Sequence, residues 1–162
     1  MYSATTEIHF AYGHRLLDYV GKCAHPHGHN ARVEVEVESE QLDIAGMALD
    51  FTVLKHGLQD WVDAHLDHQM ILRHDDPLVP ILQNMNEPIY IMERNPTAET
   101  LASLLYEIAQ QQGFSVAMVR FWESPTSYAT YRPTLVSANG SQAGDTGRRP
   151  PRMIGPETRE EH

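Results

Sequence analysis

The chain has 162 residues, of which 41% are hydrophobic, so it suits a single domain with one buried core. Its formal net charge of −10 argues against a nucleic-acid partner, because binding to a phosphate backbone normally depends on clustered lysine and arginine side chains. A single cysteine excludes an intrachain disulfide framework, and no run of about 18 apolar residues predicts a membrane span, so we expect a cytoplasmic protein that binds neither membranes nor nucleic acids.

The first predicted strand ends in a histidine. One face of this strand is formed by four residues of the same parity: Ile8, Phe10, Tyr12 and His14. The only cysteine, Cys23, follows in residues 22–30, a segment that also holds three of the ten histidines. His27 and His29 in this segment stand two apart, so they project from the same side of an extended chain.

The second predicted strand alternates valine with glutamate over residues 33–38, and His27 and His29 share the parity of the valines. If the two strands pair as a hairpin, His14, His27 and His29 converge at one end of the sheet. Three imidazoles suit a catalytic zinc, which takes three protein ligands and leaves its fourth position open. The pattern alone also allows His14 to be a hydrogen-bonded core residue and His27-Gly28-His29 to be a turn.

An apolar stripe with helical spacing predicts the first helix, over residues 52–66. The helix ends at Asp67 and His68, and a carboxylate that orients a histidine fixes one tautomer and raises its basicity. Spacing alone leaves open that the two residues form a helix-end pair without chemistry.

The stretch from Ile71 to Arg94 is interrupted by three prolines. We expect a short helix over residues 77–85 and an extended segment over residues 89–92. The sequence leaves two alternatives for this stretch, which could form a rim over the site or a part of a subunit interface.

A second helix of about 15 residues is predicted to begin with Asn95 as the N-cap and Pro96 as the first helical residue, and to stop at Gly113. Thr97 and Glu99 are favourable near the positive end of a helix. Thr97 is in addition a candidate substrate contact.

Two closing strands are predicted, over residues 114–123 and 127–132. Glu123 has the parity of the apolar residues of its strand, so its carboxylate needs a partner. An arginine on a neighbouring strand or a planar ligand with paired hydrogen-bond donors satisfies this requirement.

We place the domain in residues 1–136. Residues 137–162 lack periodic apolar residues and are predicted to be a flexible tail.

Six motifs occur in one order across residues 8–132, and they resemble the 6-pyruvoyltetrahydropterin synthase family, most of all its queuosine-pathway branch of 6-carboxytetrahydropterin synthases. The motifs are Phe-x-x-x-His at 10–14, Cys-x-x-x-His-Gly-His-Asn at 23–30, Gly-Met-Ala-Leu-Asp-Phe at 46–51, Leu-Asp-His at 66–68, Asn-Pro-Thr-Ala-Glu at 95–99 and a late strand with Glu123. Three residues separate Cys23 from His27, as in the carboxy-forming branch, whereas the pyruvoyl-forming branch typically has a longer spacing.

The predicted elements give an α+β fold, a four-stranded antiparallel sheet with two helices on one face. The resemblance implies the tunnelling fold, in which subunits close their sheets into a barrel and sites lie at subunit interfaces. It further implies a homohexamer made of two trimers.

The resemblance also implies the conversion of 7,8-dihydroneopterin triphosphate to 6-carboxytetrahydropterin, with release of acetaldehyde and triphosphate. In this interpretation zinc (Zn2+) is held by His14, His27 and His29, and Cys23 acts as a thiolate base. Asp67 and His68 form a proton relay for the thiol, and Glu123 anchors the pterin ring. Thr97 is a substrate contact, and Lys22 is a cation for the triphosphate.

Two alternatives remain open at this point. The same residues would serve a 6-pyruvoyltetrahydropterin synthase, which eliminates triphosphate without breaking the carbon chain. A non-catalytic zinc-binding protein is the other alternative, and in it Cys23 would be a fourth ligand that closes the site. Arg15, beside His14, is a further candidate cation for a triphosphate.

Overall fold

The computed structural model describes residues 1–134, which form one six-stranded sheet and three α-helices. The strands lie in the order β4-β3-β1-β2-β5-β6. The elements are β1 (Tyr2–His14), β2 (His27–Ser39), α1 (Phe51–His65), β3 (Gln69–Arg73), α2 (Leu78–Asn84), β4 (Ile89–Met92), α3 (Ala98–Gln111), β5 (Val116–Ser124) and β6 (Ser127–Tyr131).

The centre of the sheet is the predicted hairpin of β1 and β2, which are antiparallel from the pair Tyr2 and Ser39 to the pair His14 and His27. The valines of β2 are buried and the glutamates between them are more exposed, as the alternation predicts. Burial of one face also sets the register, because a slip by one residue would move every valine to the other face.

Helices α1 and α3 pack on the face of the sheet that carries the valines. Their buried residues are Leu54, Leu58 and Val62 in α1, and Ala98, Leu101, Ala102, Leu105 and Ala109 in α3. They enclose Phe121 of β5. The predicted α+β arrangement is therefore confirmed for two helices and four antiparallel strands, with β5 and β6 continuing the sheet beyond β2.

The predicted number of strands was wrong, because β3 and β4 add two parallel strands beside β1. After β2, the chain forms α1 on one face of the sheet. It then enters β3, which pairs with β1 on the side opposite β2. The segment Met70-Ile71-Leu72 is a short apolar run without alternation, which gives no periodic signal for a strand. The predicted short helix and extended segment of this stretch are confirmed as α2 and β4.

The predicted start of α3 was wrong by two residues. Thr97 is the N-cap, and a capping box joins it to Thr100. Asn95 instead uses its side-chain amide to bind the backbone of Leu17, through bonds of 2.7 Å and 3.0 Å. The helix ends near the predicted stop, where Gly113 has a left-handed φ of 91°.

Within residues 1–134, no helix has both the length and the apolar character needed to cross a membrane. The predicted tail, residues 137–162, lies outside the described part of the chain.

Candidate metal and substrate site

Three histidines meet at one end of the central hairpin. His14 is the last residue of β1, and His27 and His29 are the first and third residues of β2, so antiparallel pairing brings their rings to one place. One ring nitrogen of each lies within 4.8 Å of the others. This is the only such group of three or more potential ligands among the described residues, and it has the predicted membership.

Backbone carbonyls orient two of these rings. The Nδ1 of His14 lies 2.6 Å from the carbonyl oxygen of Pro96, and the Nδ1 of His27 lies 2.8 Å from that of His25. An Nδ1–H that donates to a carbonyl leaves Nε2 unprotonated, which is the usual way in which metal-binding histidines are held. The two Nε2 atoms then face each other at 3.0 Å, a repulsive contact between lone pairs that a cation would relieve.

Burial lowers the pKa of His14, and the neighbouring rings of His27 and His29 lower it further, against the opposing influence of the Pro96 carbonyl and Glu123. His14 is therefore neutral at neutral pH, which is the form that binds metal. The donor set of three imidazoles fits zinc with one position left for a further ligand.

Cys23 lies in a short 3-10 turn, Lys22–Ala24, whose Cys23 carbonyl accepts a hydrogen bond of 2.8 Å from the Leu16 backbone. This bond holds the turn against the end of β1. The thiol lies outside the group of ligand atoms formed by the three histidines. Lys22, in the same turn, is exposed.

A cavity of about 290 Å³ joins several predicted site residues. Its walls include four of them: His14, Cys23, Thr97 and Glu123. The hydroxyl of Thr97 accepts a bond of 3.4 Å from the Thr100 backbone at the start of α3, so Thr97 both caps the helix and faces the cavity.

Glu123 is satisfied by a tyrosine and not by an arginine. The hydroxyl of Tyr12 donates to Oε1 of Glu123 at 3.2 Å, and Nε2 of His14 lies 3.9 Å from the same oxygen. Arg120, the arginine of β5, pairs instead with Glu34. Burial, followed by the charge and the hydrogen bond of Glu123, raises the pKa of Tyr12, so its proton stays on the hydroxyl.

Tyr12 is a site residue that sequence reasoning placed on the right face without recognising a role. The available signal was its parity with His14, together with the rule that a buried tyrosine hydroxyl requires a partner.

Asp67 and His68 form a hydrogen-bonded pair directly after α1. Nδ1 of His68 donates to one oxygen of Asp67 at 2.8 Å, and the backbone N–H of Ala11 donates to the other at 2.9 Å. Although burial alone would raise the pKa of Asp67, these bonds and the nearby His68 lower it, so the carboxylate is ionised at neutral pH. His68 adopts a left-handed φ of 56°, which is uncommon for a residue other than glycine.

The structure does not place His68 in the cavity that contains Cys23. The His68 side chain is 81% exposed and borders a different cavity, of about 530 Å³, together with Met70 of β3 and Leu82 of α2. Its backbone binds Ala11, whereas the Cys23 turn is bound to Leu16, five residues further along the chain. Within one chain the predicted relay pair and the thiol are thus separate.

Arg15 is not a free cation, which corrects its proposed use for a triphosphate. Its Nε donates to Asp76 at 2.7 Å, and a second guanidinium nitrogen contacts the other oxygen of the same carboxylate. The Asp76 side chain is fully buried. Asp76 was missed by sequence reasoning because nothing in Asp75-Asp76-Pro77 distinguishes a buried carboxylate from a loop.

A comparison with known families matches residues 3–134 to the sequence model described as 6-pyruvoyl tetrahydropterin synthase. Among curated proteins, the chain is 32% identical to a 6-carboxy-5,6,7,8-tetrahydropterin synthase of Rickettsia conorii, over 79% of this chain and 98% of the relative. A protein of the same name from Aquifex aeolicus is also 32% identical, over 70% of this chain and 77% of the relative.

Solved structures share the fold. An uncharacterized protein of Wolinella succinogenes superposes with a TM-score of 0.69 at 28% identity, over 81% of this chain and 97% of that chain. The 6-pyruvoyl tetrahydropterin synthase of Caenorhabditis elegans superposes with a TM-score of 0.62 at 21% identity, over 82% and 96% of the two chains. These likenesses identify the architecture of residues 1–134 as that of the tunnelling fold.

Proposed function

The chain belongs to the 6-pyruvoyl tetrahydropterin synthase family, and from this premise we propose that it is a zinc-dependent 6-carboxy-5,6,7,8-tetrahydropterin synthase. The reaction is the conversion of 7,8-dihydroneopterin triphosphate to 6-carboxytetrahydropterin, with release of acetaldehyde and triphosphate, as a step of queuosine biosynthesis. The observation that carries the proposal is the meeting of three imidazoles beside a cavity that also contains Cys23 and Glu123.

His14, His27 and His29 hold the metal in this proposal. Bound zinc supplies a Lewis acid for the side-chain oxygens of the substrate. The carbonyls of Pro96 and His25 keep two of the imidazoles in the tautomer that presents Nε2, so the ligands are oriented before the metal arrives.

Cys23 moves protons at the side-chain carbons of the substrate. Its position in the wall of the cavity, outside the ligand group, favours a base over a fourth metal ligand. This argues against the non-catalytic zinc-binding alternative, which needs Cys23 to close the site. A base held beside the reacting carbons contributes typically about 10²–10⁴-fold to a rate.

Asp67 and His68 relay the proton from a neighbouring subunit. The support is their separation from Cys23 within one chain, together with the exposure of His68. The bond from His68 to Asp67 fixes the ring and leaves its Nε2 free to exchange a proton with a thiol.

Glu123 anchors the pterin ring, and its carboxylate matches the paired N–H donors of that ring. Thr97 contributes a hydroxyl to the same cavity. Lys22, exposed in the turn that contains Cys23, is the cation for the triphosphate. Lys22 is favoured over Arg15 because the Arg15 guanidinium is already hydrogen-bonded to Asp76.

The carboxy-forming branch is favoured over the pyruvoyl-forming one by two observations. Three residues separate Cys23 from His27, and Pro26 stiffens this short connection. The relatives at 32% identity carry the carboxy-forming name. The 6-pyruvoyltetrahydropterin synthase remains the second candidate, since the same residues serve both reactions.

The working form is a homohexamer in the cytoplasm in this proposal. β4 and β6 are the edges of the described sheet, and an exposed edge requires a cover or a paired strand. Large apolar side chains at the surface, including fully exposed Val20 and Ile44, also suit burial against other subunits.

Product identification tests the proposal. Zinc-loaded protein given 7,8-dihydroneopterin triphosphate is expected to form 6-carboxytetrahydropterin, identified by chromatography against a standard. Cys23→Ala is the matched control and should form the product about 10²–10⁴-fold more slowly. Formation of 6-pyruvoyltetrahydropterin as the main product would support the second candidate instead.

A further inference from the structure

Tyr12 connects the predicted metal site to the predicted substrate anchor. Its ring packs against His14 and His29, with centroid distances of 5.1 Å and 5.7 Å. Its hydroxyl reaches across the sheet to Oε1 of Glu123 on β5. The residue is only 4% exposed, so its hydroxyl depends on this partner.

We propose that Tyr12 is a positioning residue that fixes the carboxylate of Glu123 for recognition of the pterin ring. The proposal rests on the function proposed above, in which Glu123 is the anchor. The new element is that Tyr12, on β1, determines the orientation of the Glu123 carboxylate on β5.

The hydrogen bond restricts the carboxylate without using up its capacity as an acceptor. Each carboxylate oxygen accepts two hydrogen bonds, so Oε1 keeps one position and Oε2 keeps both. Within residues 1–134, the Tyr12 hydroxyl is the hydrogen-bond donor found for Glu123. The Glu123 side chain is 28% exposed and lines the cavity, so these remaining positions are accessible to a ligand there.

The tyrosine also limits the rotation of Glu123, which lies near an irregularity in the pairing of β5 with β6, between Trp122 and Ser124. Such an irregularity disrupts the ladder locally and changes the direction of nearby side chains. The Tyr12 ring packs against Phe10, His14 and Phe121, and this packing gives its hydroxyl a fixed position. A pre-oriented acceptor binds its ligand more tightly because less freedom is lost on binding.

Tyr12→Phe tests this role, because phenylalanine keeps the ring packing and removes only the hydroxyl. The probe is neopterin, which carries the ring without the triphosphate, and its binding is measured by calorimetry with zinc-loaded and with metal-free protein. We expect neopterin affinity to fall about tenfold in both forms, since a hydrogen bond to a charged group is lost. In turnover, KM should rise while kcat and zinc content stay near those of the wild type.

Tyr106→Phe is the matched control, because the Tyr106 hydroxyl also takes part in one side-chain hydrogen bond, which it accepts from Nε2 of Gln110 on α3, away from the cavity. It should leave neopterin affinity unchanged. Unchanged affinity in Tyr12→Phe, or a fall in kcat with constant KM, would overturn the proposal.

Glu123→Gln separates this proposal from the one on which it rests. If Glu123 is the anchor, Glu123→Gln weakens neopterin binding, and adding Tyr12→Phe to it weakens binding little further. Independent, additive losses would show that Tyr12 does not act through Glu123 and would overturn the positioning role alone. Unchanged affinity in Glu123→Gln would overturn the anchor and the positioning role together.

Discussion

The three candidate ligands differ in how firmly the protein holds them. His14 is buried and its Nδ1 is bound to Pro96, whereas His27 is held by the carbonyl of His25 in its own loop. The His25 carbonyl lies at hydrogen-bond distance from His27, whereas the His25 imidazole is exposed and lies outside the group of three histidines. Alanine variants of His25, His27 and His29 therefore test which of these neighbouring histidines bind the metal.

His27→Ala and His29→Ala are each expected to lose most of the bound zinc, because two imidazoles are too few for a stable catalytic site. Zinc content is measured by atomic emission on purified protein, with about one ion per chain expected for the wild type. His25→Ala is the control and should retain its zinc. Full zinc in both His27→Ala and His29→Ala would show that the ligands are elsewhere.

Cys23→Ser is expected to keep its zinc and its thermal stability while turnover falls by about 10²–10⁴-fold, the usual contribution of a general base. The reason is that the thiol lies outside the ligand group. Zinc content and initial rates on the same preparation check this. Loss of zinc in Cys23→Ser would favour the closed, non-catalytic site.

Sequence reasoning predicted a part of the geometry of the candidate site, because chemistry and parity agreed at the end of the hairpin. His14, His27 and His29 were predicted to converge, since antiparallel pairing places the end of the first strand beside the start of the second. Tyr12 and Asp76 were missed for a different reason, because their roles depend on partners 111 and 61 residues away along the chain. No local pattern encodes such a contact.

At the scale of elements, the loop between β1 and the Cys23 turn is tied to two later parts of the chain. Arg15 is bound by the buried Asp76 just before α2, and Leu17 is bound by Asn95 just before α3. Asp76 also accepts a bond of 2.8 Å from the Leu78 backbone. The stretch of residues 71–94 therefore supports the loop that leads to the thiol.

Asp76→Asn is expected to destabilise the protein at neutral pH by about 3–5 kcal/mol, the usual cost of breaking a buried ion pair. Burial alone would raise the pKa of Asp76, but the bonds from Arg15 and the Leu78 backbone and the charge of Arg15 lower it below its ordinary value. Its stabilising contribution is thus present above about pH 4 and is lost as pH falls through the lowered pKa.

Denaturant unfolding of wild type and Asp76→Asn at several pH values checks this, and the difference should shrink as the pH falls below about 4. Asp75→Asn is the matched control, because Asp75 also pairs with an arginine but its side chain is 50% exposed, so only a small change is expected. A difference between wild type and Asp76→Asn that stays constant with pH would exclude the ionised pair as its source.

The long periodic elements and most of the short ones were predicted, whereas β3 and the place of β4 in the sheet were not. β1, β2, α1 and α3 were predicted from alternation or apolar stripes, and the predicted bounds of the two helices agree with the structure within two residues. β3 and β4 have five and four residues and carry no alternation, so their places in the sheet depend on pairing with β1 and with each other. The N-cap of α3 is Thr97 and not Asn95, because the Asn95 side chain is bound to Leu17.

At the scale of the whole molecule, the separation of His68 from Cys23 is the main structural argument for a shared site. Each chain offers a cavity with a thiol and a different cavity with the relay histidine. Neither cavity contains both groups. The proposed hexamer brings the relay pair of one chain to the thiol of another.

Complementation between two inactive variants tests the shared site. Cys23→Ala and His68→Ala are each expected to be nearly inactive, and co-assembly of the two should restore a part of the wild-type activity. Recovery occurs because some sites then combine an intact thiol from one chain with an intact histidine from its neighbour. Absence of recovery in verified mixed oligomers would place the whole relay within one chain.

The central claim is that this site breaks a carbon–carbon bond. The most direct measurement is the ratio of acetaldehyde to triphosphate released during turnover of 7,8-dihydroneopterin triphosphate, with acetaldehyde detected by enzymatic reduction and triphosphate by chromatography. We predict a ratio close to one for the zinc-loaded protein. Stoichiometric triphosphate with no acetaldehyde would contradict the claim and would assign the chain to the pyruvoyl-forming reaction.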